Sequence, residues 1–283
     1  MTPSVKSIYG LIGFPVKHSL SALMHNAAFA HLKIDAEYKL FEVKPEDLND
    51  FVGSLSQKNI HGLNVTIPHK EKVIPLLGRV SEDSKLIGAV NTIKVSDGGC
   101  EGFNTDGEGF LKHLTADLGF DPKGKFIALI GAGGAAKAVS VYLSKANPRR
   151  ISIYDIDKDK AAALVEHLRK NFSNTEFRSA ASALDLGLRD CSLLVNATPI
   201  GMKESDPLLI DEGELRKDIL VYDLIYNPIE TKLIKAARLA QARSSNGLGM
   251  LLYQGAIAFE IWTAKAAPIE IMRRALEGGT THK

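Results

Sequence analysis

The chain has 283 residues, 45% hydrophobic and 24% charged, a globular balance that excludes a disordered or collagen-like polymer. At ~150 residues per domain, this length predicts two domains. Thirty-five Lys and Arg against 33 Asp and Glu leave a net charge of +2, too small for a protein that coats nucleic acid.

Cys100 and Cys191 are the two cysteines. They form no C-x-x-C pair, which argues against a disulfide framework and a thiolate zinc site. No histidine pair has H-x-x-x-H or H-E-x-x-H spacing, so no metal is expected. The absence of G-x-S-x-G weighs against a hydrolase. The most apolar long stretch, residues 249–262, is interrupted by Gln254 and Glu260 and is shorter than the ~20 residues a membrane span needs. No convincing cleavage site follows the run at residues 8–12, so a soluble cytoplasmic protein is the expectation.

In chain order, residues 8–12 predict a strand, 21–32 an amphipathic helix and 38–42 a second strand, and a further helix has Pro45 in its first turn. Residues 62–68, Gly-Leu-Asn-Val-Thr-Ile-Pro, alternate: Leu63, Val65 and Ile67 on one face, Asn64 and Thr66 on the other, with Pro68 ending the strand and Lys70 just beyond. The pattern restarts near residue 120. Residues 125–130 read as a buried strand, a glycine-rich turn follows, and a helix runs to about Ala146. Residues 151–154, 193–196 and 220–224 add strands, and a long helical pattern begins at Gly249. Alternating strands and helices predict an α/β fold with mainly parallel sheet.

The turn Gly131-Ala132-Gly133-Gly134-Ala135-Ala136 is G-x-G-x-x-A between a strand and a helix, the context a dinucleotide fingerprint requires. Gly131 permits the tight turn, Gly133 lets the backbone approach a pyrophosphate, and Ala136 allows close helix–sheet packing. The helix N–H groups then face the anion. The alternative is a turn that merely packs tightly. The following strand ends at Tyr154-Asp155-Ile156-Asp157. An acid at Asp155 would accept hydrogen bonds from a ribose 2′-OH and repel a 2′-phosphate, which favours NAD. Asp157 reads as the cap of the next helix.

Further polar groups occur at Gly88-Ala89-Val90-Asn91-Thr92 and Gly102-Phe103-Asn104-Thr105-Asp106-Gly107. Asp106 precedes a helical run through Phe110 and Leu114, so it reads as an N-cap, as an ion-pair partner for a lysine, or as both. Ser19 and Ser21 stand at another helix start, where capping needs only one of them. Gln254 shares a helix stripe with Leu251, Ala258 and Ile261, an amide on an apolar face that needs partners. Met250, Leu252, Phe259 and Trp262 read as core, and His18, His25 and His69 as packing or surface histidines rather than bases.

Together these segments resemble the shikimate dehydrogenase family over nearly the whole chain. The resemblance is carried by Gly13-Phe14-Pro15-Val16-Lys17-His18-Ser19-Leu20-Ser21, Asn64-Val65-Thr66-Ile67-Pro68-His69-Lys70, the Asn91 and Asp106 groups and the Gly131 turn. It continues through Asn196-Ala197-Thr198-Pro199-Ile200-Gly201-Met202, Asp223-Leu224-Ile225-Tyr226-Asn227-Pro228 and Gly249 to Gln254. It implies reversible reduction of 3-dehydroshikimate to shikimate with a reduced nicotinamide cofactor, a step of aromatic amino acid biosynthesis. It also implies an N-terminal α/β substrate domain (1–105 with 247–283) and a Rossmann-type dinucleotide domain (106–246).

By the same resemblance, Lys70 and Asp106 are the catalytic pair and also touch substrate, Lys70 moving the hydroxyl proton while Asp106 orients it. Ser19 and Ser21 hold the substrate carboxylate, and Asn64, Thr66, Asn91, Tyr226 and Gln254 contact hydroxyls or ring. The Gly131–Ala135 segment (Gly131, Ala132, Gly133, Gly134, Ala135) and Asp155 bind the cofactor, Thr198, Pro199 and Met202 lie beside the nicotinamide, and Gly249 falls at that edge. NADP-using members typically carry Asn-Arg-Thr where this chain has Asp155-Ile156-Asp157, and Lys137 replaces a common arginine. The cofactor expectation is therefore NAD(P), with NAD favoured or both used. The partner is a small-molecule substrate, not nucleic acid or membrane, and the chain is a monomer or homodimer. Alternatives are a quinate/shikimate or aminoshikimate dehydrogenase and, more distantly, a non-catalytic dinucleotide-binding regulator. The presence of both serines favours shikimate, and retention of Lys70 and Asp106 favours an enzyme.

Overall fold

The computed structural model describes residues 6–280, with side chains through residue 279. Residues 1–5 and 281–283 of the expected first domain lie outside the described residues. The chain divides into two compact units: residues up to Gly109 with those from Leu251, and Phe110–Met250. The divisions fall four residues later than the expected 105/106 and 246/247, so Asp106 belongs to the first unit.

The first unit contains β1 (Ser7–Gly13), α1 (Ser21–His31), β2 (Ala36–Glu42), α2 (Leu48–Gly53), β3 (Ile60–Val65), β4 (Arg79–Val80), α3 (Glu82–Ile87), β5 (Thr92–Ser96) and β6 (Gly99–Phe103). Its sheet runs β2-β1-β3-β5-β6-β4. The β1–β2, β1–β3 and β4–β6 ladders are parallel, and β3–β5 and β5–β6 are antiparallel. One core of this unit gathers Ile12, Val43, Leu48, Leu55, Leu63 and Ile93. In α1 the buried residues Met24, His25, Ala28 and Phe29 fall at helical spacing. Pro45 opens a 3₁₀ turn rather than α2 itself, consistent with its fixed φ and missing N–H. At α3, Ser81 accepts a hydrogen bond from the Ser84 N–H, and Gly88 closes the helix at φ +71°, a left-handed value that glycine adopts without strain.

One division falls within α4 (Asp106–Lys112), which continues as a π turn, His113–Asp117. The second unit follows with β7 (Phe126–Ile130), α5 (Gly134–Lys145), β8 (Arg150–Tyr154), α6 (Lys158–Asn171), β9 (Glu176–Ser179), β10 (Leu193–Asn196), β11 (Leu220–Asp223), α7 (Lys232–Leu239) and β12 (Arg243–Ser245). Its strands are all parallel in the order β12-β11-β10-β7-β8-β9. Counted from β7 this is 6-5-4-1-2-3, the doubly wound dinucleotide order, with its switch point where β7 adjoins β10. The continuous Phe-Ile-Ala-Leu-Ile of β7 fits a parallel strand covered on both faces. Asp157 caps α6 by accepting from the Lys160 N–H, as the sequence implied.

Two expectations need correction. The long C-terminal helical pattern is two helices, α8 (Leu248–Thr263) and α9 (Ile269–Thr280). Ala264 turns left-handed at φ 53°, and Pro268 lacks the N–H needed to continue a helix. The alternation through Ile67 also stops early: β3 ends at Val65, and Ile67 is 65% exposed while Leu63 and Val65 are buried. The chain turns there, since the His69 N–H donates to the Thr66 carbonyl.

Candidate active site

Strand pairing assembles the polar cluster of the first unit. Asn64 on β3 lies directly opposite Thr92 on β5, and Thr92 opposite Phe103 on β6. Asn91 immediately precedes β5, and its N–H donates to the Phe103 carbonyl, drawing Asn104, Thr105 and Asp106 towards it. The turn after β3 is pinned twice. The Val90 N–H donates to the Lys70 carbonyl, and buried His69 lies 2.7 Å through Nε2 from the Val43 carbonyl.

Lys70 Nζ stands 2.5 Å from Asp106 Oδ2, with the two side chains only 15% and 7% exposed. Asp106 is the first residue of α4, not a cap. Asn104 Oδ1 accepts the Asp106 N–H, leaving the carboxylate to Lys70 and to Asn91 Nδ2, which donates to Oδ1 at 2.9 Å. The Asn91 amide has one workable orientation. Its Oδ1 accepts the Thr105 backbone N–H at 2.7 Å, a group that can only donate, so Nδ2 must face the carboxylate. Gln254 is fixed likewise: Nε2 donates to the Leu251 carbonyl, turning Oε1 to within 3.3 Å of Asn91 Nδ2. Asn64 Nδ2 donates to the Asn91 carbonyl and to Thr92 Oγ1, and its Oδ1 accepts from Tyr38 at 2.7 Å.

The loop between β1 and α1 lies against the end of β3. The Phe14 N–H donates to the Ile67 carbonyl, and a Cβ on Gly13 would come within 2.4 Å of the Thr66 methyl, so only glycine allows this approach. On that loop Ser19 Oγ sits 3.2 Å from both the Ser21 hydroxyl and the Ser21 N–H. Leu20 occupies the N-cap position of α1 without a side-chain cap, so neither serine caps the helix in the ordinary way. Of the histidines expected to pack or lie at the surface, His18 is exposed, and His25 is buried and stacked on Tyr38 with ring centroids 4.4 Å apart. Burial pushes the His25 imidazole down to about 3.

In the second unit, Gly131 has φ +112°, and an added Cβ would lie 2.9 Å from the Ala197 carbonyl oxygen at the end of β10. The Ala132 N–H donates to Asp155 Oδ2 at 2.7 Å and the Asp157 N–H to Oδ1 at 2.9 Å, so Asp155 ties the turn to the end of β8. Gly133 is the N-cap of α5 with no side-chain cap, and a Cβ placed on it would meet nothing within 4 Å. Exposed Gly133 and half-buried Gly134 and Ala135 therefore present uncapped helix N–H groups beside open space, while Ala136 is fully buried. This cradle fits a pyrophosphate.

Asn196 and Asp223, assigned no role of their own from sequence, organise the loops after β10 and β11. Asn196 Oδ1 accepts from the Thr198 N–H and hydroxyl, and its Nδ2 donates to Asp223 and to the Ile200 carbonyl. Asp223 also accepts from the Ile225 N–H and the Thr231 hydroxyl, while burial raises its carboxyl above the usual range. The signal for both was a polar residue closing an otherwise apolar buried strand. Pro199 and Met202 are exposed, and Tyr226 is half-buried. Gly249 is buried, and a Cβ there would lie 2.2 Å from the His113 ring, so packing alone requires glycine. Among the described residues, no three His, Cys, Asp or Glu side chains group as a metal site, and no helix is long and apolar enough to cross a membrane.

Hydrogen bonds thus join Lys70, Asp106, Asn91, Thr92, Asn64 and Gln254 in the first unit, with Ser19, Ser21 and Thr66 on adjoining loops. Thr198, Pro199, Met202, Tyr226, Gly249 and the glycine turn belong to the second unit. Comparison with known proteins returns the same pattern. Residues 11–93 match the shikimate dehydrogenase substrate binding domain and residues 247–277 the shikimate 5′-dehydrogenase C-terminal domain. The chain is 46% identical to the shikimate dehydrogenase (NADP(+)) of Methanopyrus kandleri, covering 95% of this chain and 94% of that one. A crystal structure of a shikimate dehydrogenase in complex with NADP+ superposes with a TM-score of 0.88 at 41% identity, covering 96% and 95% of the two chains. The Listeria monocytogenes shikimate 5-dehydrogenase, in complex with shikimate and NAD, gives 0.85 at 36% identity, covering 96% of each. With identity this high over nearly its full length, and with the paired lysine and aspartate and the dinucleotide turn in place, the chain belongs to the shikimate dehydrogenase family.

Proposed function

We propose that this chain is an NAD(P)-dependent oxidoreductase that interconverts 3-dehydroshikimate and shikimate. The observation that carries the reading is the 2.5 Å contact between Lys70 and Asp106, inside a network that turns the Asn91 amide towards the carboxylate. A regulator that had lost catalysis would have no need of such a pair.

A bound nicotinamide supplies the hydride, or accepts it in the reverse direction. The rest of the chemistry belongs to the protein. As hydride reaches the carbonyl carbon, negative charge grows on the oxygen, and the Lys70 ammonium donates a hydrogen bond and then its proton to that oxygen. In the oxidative direction Lys70 takes the hydroxyl proton. Asp106 holds the amine in line and accepts from a neighbouring substrate hydroxyl. Asn91 already spends both Nδ2 hydrogens on protein acceptors, so a substrate hydroxyl there replaces the longest of these bonds, the 3.3 Å contact to Gln254. Asn64, Thr66, Gln254 and Tyr226 are assigned to the remaining hydroxyls and ring, and the adjacent hydroxyls of Ser19 and Ser21 to the carboxylate. The first unit is read as the substrate domain and the second as the dinucleotide domain.

For the cofactor, the Gly131–Ala135 segment takes the pyrophosphate, Thr198, Pro199, Met202 and Gly249 border the nicotinamide, and Asp155 faces the adenosine ribose. Preference for NAD, or use of both cofactors, is supported by the charge of Asp155, which opposes a 2′-phosphate. The relatives named for NADP+ weigh the other way. Cytoplasmic residence belongs to the same reading, supported by two unpaired cysteines. A matrix of shikimate and quinate against NAD+ and NADP+ tests the whole. Shikimate-dependent cofactor reduction is expected, with kcat/KM for NAD+ at least matching that for NADP+. No shikimate oxidation with either cofactor would overturn the activity, and a far higher kcat/KM with NADP+ would overturn the cofactor preference alone.

A further inference from the structure

Behind Lys70 and Asp106 runs a chain of buried hydrogen bonds, in which the Thr92 hydroxyl links the side-chain amides of Asn64 and Asn91. We infer that Thr92 is a positioning residue for the Lys70–Asp106 pair, an inference that rests on the function proposed above.

Thr92 is fully buried on β5, directly opposite Asn64. Its Oγ1 accepts from Asn64 Nδ2 at 3.1 Å and donates to Asn91 Oδ1 at 3.1 Å. The hydroxyl therefore joins two amides that the backbone has already oriented. On one side, Tyr38, 2% exposed and stacked on His25, donates to Asn64 Oδ1. On the other, Asn91 Nδ2 donates to the Asp106 oxygen that does not face Lys70. The bonds run unbroken from Tyr38 through Asn64, Thr92, Asn91 and Asp106 to Lys70. Thr105 supports the same amide through its N–H at 2.7 Å, which sets which way Asn91 faces, and through its hydroxyl, 3.2 Å from Asn91 Oδ1 and 3.3 Å from Thr92 Oγ1. Thr92 ties that amide to the β3 strand and so limits how far it can swing. Amides do not relay protons in such a chain, so the contribution is geometric. A carboxylate held from behind keeps the ammonium aimed, and a small misplacement at a reacting atom lowers rate more than binding.

Thr92→Val keeps the shape and removes the hydroxyl, leaving one Asn64 hydrogen without an acceptor and Asn91 Oδ1 held by Thr105 alone, no longer tied to the Asn64 amide. With shikimate and either cofactor, kcat is expected to fall about tenfold while the shikimate KM changes less than about twofold. Thr92→Ser restores kcat to near the wild-type value. Thr92→Cys, with its weakly donating thiol, should show the same fall in kcat and serves if the valine variant does not fold. An unchanged kcat in the valine or cysteine variant, or a serine variant as slow as the valine one, overturns the inference. Lys70→Ala run in parallel separates the two levels: an active Lys70→Ala enzyme sinks the proposed mechanism, whereas an inactive one beside a fully active Thr92→Val sinks only the role of Thr92.

Discussion

The two units prepare for a ligand by opposite means. In the first, the candidate site is made of side chains: an amine, a carboxylate, three amides and several hydroxyls, mostly buried and satisfied by one another. In the second, it is made of backbone: a glycine at φ +112°, an uncapped helix start, and loops held from behind by Asn196 and Asp223. The difference follows from what each ligand offers. A ring bearing hydroxyls must be read atom by atom with directional groups, whereas a pyrophosphate is satisfied by N–H groups and room. Damage should therefore differ in kind: lost functional groups harm the first unit, and added atoms harm the second.

The largest expected effect is at the lysine. Lys70→Ala should lower kcat by about 10²–10⁴-fold, with a far smaller change in the shikimate KM, read from steady-state rates at saturating cofactor. A raised KM at unchanged kcat would make Lys70 a binding group and dissolve the contrast. Next come the glycines, where the second unit allows structure and ligand to be separated. Gly133→Ala adds a methyl that touches nothing in the protein, so its Tm should match wild type while the cofactor KM rises about tenfold through loss of close backbone approach. Gly131→Ala should lose both cofactor affinity and stability, since its methyl meets the Ala197 carbonyl at a left-handed backbone. If Gly133→Ala bound the cofactor normally, the cradle would be a packing turn after all.

The second unit was the more legible in sequence because its signals are local. The run into Gly131, the acid 24 residues further on at Asp155 and the Asp157 cap are all read along one continuous strand–helix–strand stretch, and the structure has all three. In the first unit the residue types and the Lys70–Asp106 pair were visible, but the network behind that pair was not. Nothing in the spacing of Asn64, Thr92, Asn91 and Thr105 shows that antiparallel pairing of β3, β5 and β6 stacks them, because register is a tertiary property. Tyr38 could not have been singled out, since a tyrosine in a strand ordinarily reads as core. Asp106 read as a cap, as a lysine's partner or as both, because an acid at a helix start serves either use; the structure has the pairing, and Asn104 accepts the Asp106 N–H. Ile67 misled because periodicity says nothing about where a strand stops.

The smallest expected effect contrasts one buried titratable group from each unit. His25 is neutral when folded, its imidazole lowered by burial to about 3, so the unfolded chain binds a proton near the ordinary histidine value and the native chain does not. Its contribution to stability is complete above about pH 6.5 and is lost as pH falls towards 3, at about 1.4 kcal/mol per pH unit. Asp223 has the opposite sign. Burial raises its carboxyl, so its contribution is complete below the ordinary aspartate value and declines as pH rises through the folded value. Acid therefore weakens the first unit through His25 and spares the second at Asp223. Urea unfolding at pH 7 and pH 5 should show the wild-type chain losing about 2 kcal/mol more between the two than His25→Phe, whatever the ring exchange itself does to packing. Taking the difference between pH values removes that packing term, and an equal loss in both proteins would mean that His25 finds a proton and a partner in the folded state.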